Sequence, residues 1–368
     1  MQTRFAALPR LPLIPPIFPI PLIFRPGDRP MRKIALDADP GVADALALAF
    51  ALFDPNVEIV AATSVGGLVD SQTSARNLQS VVAFLAPPYL PRIGFESENP
   101  TGAKTEIRDD YAKIKKQNSV ADATFSNDFS GFTLPVVERF APRPASTILR
   151  DAVRSHPRET SLLALGPLTN VARAFQRDPE LPFLLDRLVV AGGGLSFPPR
   201  KNGTEFNIYC DPQAARVVFQ APCAKTFVPI EVVADLVVSF DDLRLFESRD
   251  DVGGEFLRRS LLEILRVRRR TQGSEVVCLQ ELAAYFALVE PNLFSTVDAF
   301  SVDEICGNAS DVYAPDAFYA DAPRTFRARR PDVEIVCQID ADAVRQKIVD
   351  GFRRIAPASF PRFSKKSV

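Results

Sequence analysis

The sequence predicts an α/β protein with an open, mostly parallel central sheet and helices on both faces. Two observations carry this. From Met31 onward, short apolar strand-like runs alternate with helical patterns, and spacers of about ten to fifteen helical residues between strands favour parallel pairing over hairpins. The loops that close the strands concentrate Asp, Gly and Pro, the composition of turns rather than of continuing strands.

Element by element, Lys33-Ile-Ala-Leu36 reads as the first strand, ending in Asp37-Ala-Asp39-Pro-Gly41. Ala43 to Phe53 reads as a helix, Val57 to Thr63 as the second strand, and Thr73–Leu85 as the next helix. Ser161–Leu165 is a strand, Thr169–Phe175 opens a helix, and Leu188–Ala191 runs into Gly192-Gly-Gly194. Asp211–Phe219 is helical and Lys225–Val228 is a further strand. No internal repeat or linker interrupts the stretch from Met31, so residues 31–356 are expected to form one domain, with 357–368 as a tail. Ligands of open parallel sheets sit beyond the carboxyl ends of the strands. The loops at Asp39-Pro-Gly41, Gly166-Pro-Leu-Thr-Asn170 and Gly192-Gly-Gly194 are therefore the expected site.

Bulk properties narrow the function. The chain has 368 residues, 46% hydrophobic and 24% charged, with 44 basic and 45 acidic residues and a net charge of −1. That excludes the basic footprint of a nucleic-acid binder. The run Arg266-Val-Arg-Arg-Arg270 reads as the solvated face of a helix. Five widely spaced cysteines without a C-x-x-C pair read as reduced thiols, which places the protein in the cytoplasm. The single histidine, His156, rules out a histidine metal cage and is expected to serve a turn.

The first thirty residues stand apart. Prolines punctuate the apolar stretch Leu11–Phe24 and prevent a membrane-spanning helix. Residues 1–30 read as a disordered extension or an upstream start. Arg4, Arg10 and Arg25, with no acid before Asp28, supply the alternative of organelle targeting.

Asp37, Asp39 and Asp44 place three carboxylates in eight residues, around Pro40 and Gly41. Converging hard oxygen donors suit calcium or magnesium; an N-cap cluster at a helix start is the competing reading. Gly192-Gly-Gly194 lacks both a Gly-x-Gly-x-x-Gly and a Walker lysine, so it reads as a tight turn rather than a phosphate cradle. Phe125–Phe132 reads equally as a substrate lid or as packing over the sheet.

Asp-x-Asp-Pro-Gly-x-x-Asp after the first strand resembles the signature of the inosine–uridine-preferring nucleoside hydrolases. Leu165-Gly-Pro-Leu-Thr-Asn170, Gly192-Gly-Gly194 and Val289-Glu-Pro-Asn-Leu-Phe294 resemble later family segments, as does Ala343–Ile355. Glu205-Phe-Asn-Ile-Tyr-Cys-Asp-Pro-Gln-Ala-Ala215 resembles the ribose-binding segment. The resemblance runs from about Met31 to Ile355.

It implies the nucleoside hydrolase fold and metal-dependent hydrolysis of the N-glycosidic bond of purine or pyrimidine ribonucleosides. Asp39 would be the general base. Asp39, Asp44, the Leu165 carbonyl and Glu281 would hold a divalent cation, calcium by the resemblance. Glu205 and Asn207 would bind ribose. The partner would be a small nucleoside, and the assembly a homodimer or homotetramer.

The chain departs from the family pattern at several positions. Ala43 stands where a ribose-gripping aspartate is usual, and a lost charge-assisted bond costs ~1.5–3 kcal/mol. Leu68 and Pro199 replace asparagines, with Asn202 near enough to substitute for the second. Asn127 stands for a lid histidine. Gln280-Glu281 replaces a His-Asp pair, so Gln280 can hydrogen-bond a base but cannot protonate it. Two function classes follow: a hydrolase, or a catalytically weak or inactive homologue that binds a ligand or protein.

Overall fold

The computed structural model describes residues 31–67, 70–96, 143–193, 206–246, 252–298 and 333–355. All of these lie in the unit that begins at Met31. The strands are β1 (Arg32–Ala38), β2 (Val57–Ser64), β3 (Arg92–Phe95), β4 (Thr160–Ala164), β5 (Leu188–Ala191), β6 (Lys225–Val228), β7 (Val237–Ser239), β8 (Val276–Cys278), β9 (Phe294–Asp298) and β10 (Val333–Ile339). The helices are α1 (Val42–Leu52), α2 (Ser71–Leu85), α3 (Ala145–Ser155), α4 (Thr169–Arg177), α5 (Leu181–Leu184), α6 (Phe206–Cys210), α7 (Pro212–Gln220), α8 (Val252–Gln272), α9 (Gln280–Val289) and α10 (Ala341–Phe352).

Among the described residues the main sheet has eight strands in the order β3-β2-β1-β4-β5-β6-β10-β9. Every pair is parallel except β10 with β9 at one edge. β7 and β8 form a separate antiparallel ribbon. The open, mostly parallel sheet is as the sequence predicts.

Alternation along β1 splits the core into two layers. Ile34 and Leu36 face one layer with α1, α8, α9 and α10, while Ala35 faces the other with α3, α4 and α7. Helices therefore cover both faces. α1 is buried on nearly every side because it packs between the sheet and α8 and α9, which explains its unbroken Ala/Leu composition. At its centre, Phe50 meets Tyr285, Phe286 and Phe352 edge-on at 5.5, 5.2 and 5.8 Å between ring centroids. Gly351 of α10 makes room for that ring: a Cβ there would lie 1.8 Å from Phe50 Cζ.

The strand order reverses between β1 and β4. β2 and β3 extend the sheet one way from β1; β5, β6 and β10 extend it the other way from β4. Chain leaving these two adjacent strands diverges to opposite sides and opens a crevice at their carboxyl ends. Asp39 and Leu165 are the residues that follow these two strands.

His156 follows α3 just before β4, at the amino end of the strand and so at the opposite end of the sheet's strands from the Asp39 loop. Its carbonyl accepts from Thr160 N at 3.2 Å and Thr160 Oγ1 at 3.1 Å. The turn role holds. The Arg266–Arg270 run lies on α8, with Arg266, Arg269 and Arg270 exposed and paired loosely to Glu263 and Glu275, which is a solvated helix face. Cys210, Cys223, Cys278 and Cys337 are free thiols; Cys306 lies outside the described residues. Among the described residues no helix is long and apolar enough to cross a membrane.

Candidate active site

Apolar β1 ends where its side chains turn to carboxylates. Asp37 and Ala38 are still paired to Thr63 and Ser64 of β2, and Asp39 is the first residue beyond the strand, 3% exposed. The loop is fixed by Asn77 Nδ2 of α2, which donates to Pro40 O at 3.0 Å.

Two glycines close around Asp39. A Cβ on Gly67, after β2, would lie 1.9 Å from Asp39 Oδ2. A Cβ on Gly166, after β4, would lie 2.5 Å from Asp39 Oδ1 and 2.8 Å from its backbone nitrogen. Only hydrogen fits at either place. Sequence reasoning named the Gly166 segment and the Leu68 that follows Gly67 but missed this role, whose one signal is a glycine within three residues of the ends of the two strands that flank β1.

Asp44, 4% exposed, lies in the first turn of α1. Its Oδ2 accepts from Gly41 N at 3.0 Å, so the capping expectation is half right. Its Oδ1 is buried and has no hydrogen-bond partner, a costly arrangement for a carboxylate that has nothing else to bind. Burial pushes the Asp44 carboxyl well above the ordinary range, and the charges of Asp39 and Glu281 push it further. Glu281, in the first turn of α9, is raised chiefly by burial and partly offset by Arg268. The three carboxylates are thus desolvated and within electrostatic reach. Among the described residues, however, no three Asp, Glu, His or Cys side chains are grouped at ion-ligand distance.

Asp37 does not join them. Its Oδ1 accepts from Thr63 Oγ1 at 2.6 Å and Asn170 Nδ2 at 2.9 Å. Burial raises its pKa to about 6 against those two bonds.

Leu165 follows β4, with its N–H bonded to Asp37 O at 2.8 Å. Its carbonyl accepts from Asn207 Nδ2 at 2.8 Å, and the same nitrogen donates to Ala191 O at 3.0 Å. A carbonyl oxygen has a second lone pair, so this bond leaves capacity for a cation. Both amide hydrogens of Asn207 go to backbone, and a contact with a sugar hydroxyl would have to be accepted by Oδ1. Asp211 caps α7 by accepting from Ala214 N at 3.0 Å and takes Thr169 Oγ1 at 2.8 Å. These bonds tie the Asn207 segment to the loop after β4.

Gln280 is 6% exposed and its Nε2 donates to Val228 O, at the end of β6, at 2.9 Å. Asp39, Leu165, Asn207 and Gln280 are therefore anchored at the carboxyl ends of β1, β4, β5 and β6, four neighbours in the sheet. Ala43 is half-buried between Val42 and Asp44 on the same first turn. Glu205, Asn202, Leu68, Pro199, Gly194 and the Phe125–Phe132 segment with Asn127 lie outside the described residues.

A parallel sheet with desolvated carboxylates at its switch point is the architecture of an α/β enzyme that binds a small ligand through oxygen chemistry. The chain belongs to the inosine-uridine preferring nucleoside hydrolase family, whose model matches residues 34–346. That family hydrolyses the N-glycosidic bond of ribonucleosides, and the chain is accordingly an N-glycosyl hydrolase by family.

It is 28% identical to uridine nucleosidase 1 of Arabidopsis thaliana over 265 residues, 72% of this chain and 76% of that protein. It is 27% identical to the non-specific ribonucleoside hydrolase RihC of Salmonella schwarzengrund over 322 residues, 87% and 97% of the two chains. In fold it matches a purine-preferring ribonucleoside hydrolase from Gardnerella vaginalis with a TM-score of 0.70 at 20% identity, over 89% of this chain and all of that one. The plant nucleoside hydrolase PpNRh1 gives a TM-score of 0.66 at 23% identity, over 90% of this chain and 100% of that one.

Proposed function

We propose that residues 31–356 form one catalytic domain that hydrolyses ribonucleosides to base and ribose with a divalent cation, calcium, held by Asp39, Asp44, the Leu165 carbonyl and Glu281. The observation that carries this is the unpartnered, buried Asp44 Oδ1 beside the charges of Asp39 and Glu281. Uncompensated, such carboxylates repel one another in a low-dielectric site. A hard cation removes the repulsion, and oxygen donors are the set it prefers.

A divalent cation held by these residues would supply Lewis-acid polarisation of water and so lower the water's pKa. Asp39 would be the group that accepts the proton of the attacking water, held in aim by Gly67 and Gly166 on its two sides. Glu205, Asn207 and Asn202 hydrogen-bond the ribose, positioning its anomeric carbon as positive charge develops there. Ala43 offers the sugar no hydrogen bond. Gln280, its Nε2 on Val228 O, contacts the base without protonating it, so bases that leave readily are favoured. The names of the relatives, one a uridine nucleosidase and one non-specific, support nucleosides of either base class as substrates.

Free cysteines at Cys210, Cys223, Cys278 and Cys337 support a cytoplasmic, reducing setting. A homodimer or homotetramer is the assembly we assign. The reading of an inactive binding homologue is not favoured by the family match.

The test is release of base from inosine, uridine and a nitrophenyl riboside, with and without EDTA. Turnover that EDTA abolishes and Asp39→Ala removes is expected. Stoichiometric calcium binding with no turnover of even the nitrophenyl riboside would contradict the proposal.

A further inference from the structure

The first carboxylate of the Asp37–Asp44 loop has no place in the mechanism above, yet it is among the most buried polar groups of the molecule, 1% exposed. It sits on the β1 face that carries Ala35, opposite to Leu36. One of its oxygens gathers two donors from separate elements: Thr63 Oγ1 of β2 at 2.6 Å and Asn170 Nδ2 of α4 at 2.9 Å. Asn170 Nδ2 also donates to Ser64 O, the last residue of β2, at 2.9 Å. The backbone repeats the connection, with Leu165 N on Asp37 O and Val65 N on Ala38 O, both at 2.8 Å.

What these bonds join is specific. Ser64 is three residues before Gly67, and Asn170 is four residues after Gly166. Gly67 and Gly166 are the residues that press on the Asp39 carboxylate from two sides. Leu165, between Asp37 and Asn207 in the same bond chain, presents the carbonyl assigned to the cation.

We propose that Asp37 is a positioning residue: with Thr63 and Asn170 it ties the ends of β1 and β2 to the start of α4, and so sets the aim of Asp39 and the Leu165 carbonyl. The proposal rests on the hydrolase reading for the meaning of that aim, but the tie itself is independent of turnover. Groups that orient a cation's ligands without touching it typically change affinity or activity by roughly 10- to 100-fold when removed.

The test uses the full chain and the variants Thr63→Val, Asn170→Ala, Asp37→Ala and Asp37→Asn. Three quantities are read for each: the unfolding midpoint, calcium affinity by calorimetric titration, and kcat and KM on the nitrophenyl riboside. Thr63→Val and Asn170→Ala keep the proposal falsifiable if Asp37→Ala does not fold. Asp37→Asn keeps an oxygen acceptor for both donors and is expected to stay within about threefold of wild type.

Thr63→Val and Asn170→Ala are expected to weaken calcium binding about 10-fold or more. kcat should fall by a similar factor and KM change far less. A merely structural tie predicts otherwise: lower unfolding midpoints, with calcium affinity and kcat per folded molecule within twofold of wild type. That result overturns the proposal. Wild type that binds calcium without turnover defeats the hydrolase reading instead, and the calcium affinities of the variants still decide the role of Asp37.

Discussion

Replacing Gly67 by alanine puts a methyl group where the Asp39 carboxylate now sits. The new Cβ would lie 1.9 Å from Asp39 Oδ2, 2.5 Å from its Cγ and 2.7 Å from its Cβ, whereas ordinary contact begins at 3.4 Å. Relief requires the carboxylate to move by about 1.5 Å, and misplacing a reacting group by about 1 Å can cost 10²-fold. On the other side Gly166 blocks retreat, because Asp39 already lies against its backbone. We expect kcat on a nitrophenyl riboside to fall about 100-fold or more. Overpacking typically costs ~1–3 kcal/mol of stability, so the variant should fold and can be assayed at matched folded fraction by urea titration. A Gly67→Ala enzyme within threefold of wild-type kcat would refute the reasoning that Asp39 must stay where these glycines hold it.

Gly351→Ala should do the reverse, because its Cβ would strike the Phe50 ring in the α1–α10 core, away from the strand ends. A stability loss of ~1–3 kcal/mol or more in urea titration, with kcat per folded molecule unchanged, is expected. Asp44→Asn should weaken calcium binding while making the EDTA-treated protein less sensitive to alkali. Its folded pKa is raised, so the wild-type apo-protein loses stability as pH rises above the unfolded carboxylate value, and thermal unfolding across pH 4–8 in EDTA should show the variant flatter. Asp178 has the opposite sign: the Arg154 guanidinium, with Nη2 2.7 Å from Oδ1, holds its carboxyl below the ordinary range. Arg154→Leu should therefore unfold more easily at pH 7, and the difference from wild type should shrink as pH falls through about 4.

The sheet was legible where strands are apolar runs closed by Asp-Pro-Gly or Gly-Pro turns, as at Leu36 and Leu165. Elements without that punctuation escaped. α3 is strongly two-faced, burying Ile148, Leu149, Ala152 and Val153, but follows a proline-flanked stretch that reads as loop. α8 begins at Val252-Gly-Gly254, poor helix formers, and only its arginine run read as helical. β10 alternates buried and exposed at its start, and its antiparallel partner β9 is an exposed edge strand, so neither reads as a continuous apolar run.

The site followed the same logic. Asp39 and Asp44 were legible as carboxylates closing an apolar strand, whereas the Leu165 carbonyl, Asn207, Gln280 and Glu281 entered only through the family resemblance. The difference between Asp37 and Asp39 was not legible. Both share one parity along β1, and they part only because the strand stops at Ala38 and leaves Asp37 facing Thr63. The Gly166 contact was hidden for another reason: it depends on β4 lying beside β1, a pairing between segments far apart in sequence.

The most direct test of the central claim is diffraction from crystals grown with calcium, read for the ion and its ligands. The account predicts one ion held by Asp39, Asp44 and the Leu165 carbonyl, with Glu281 brought into its shell. An ion elsewhere, or Asp39 and Asp44 without one at saturating calcium, would contradict it.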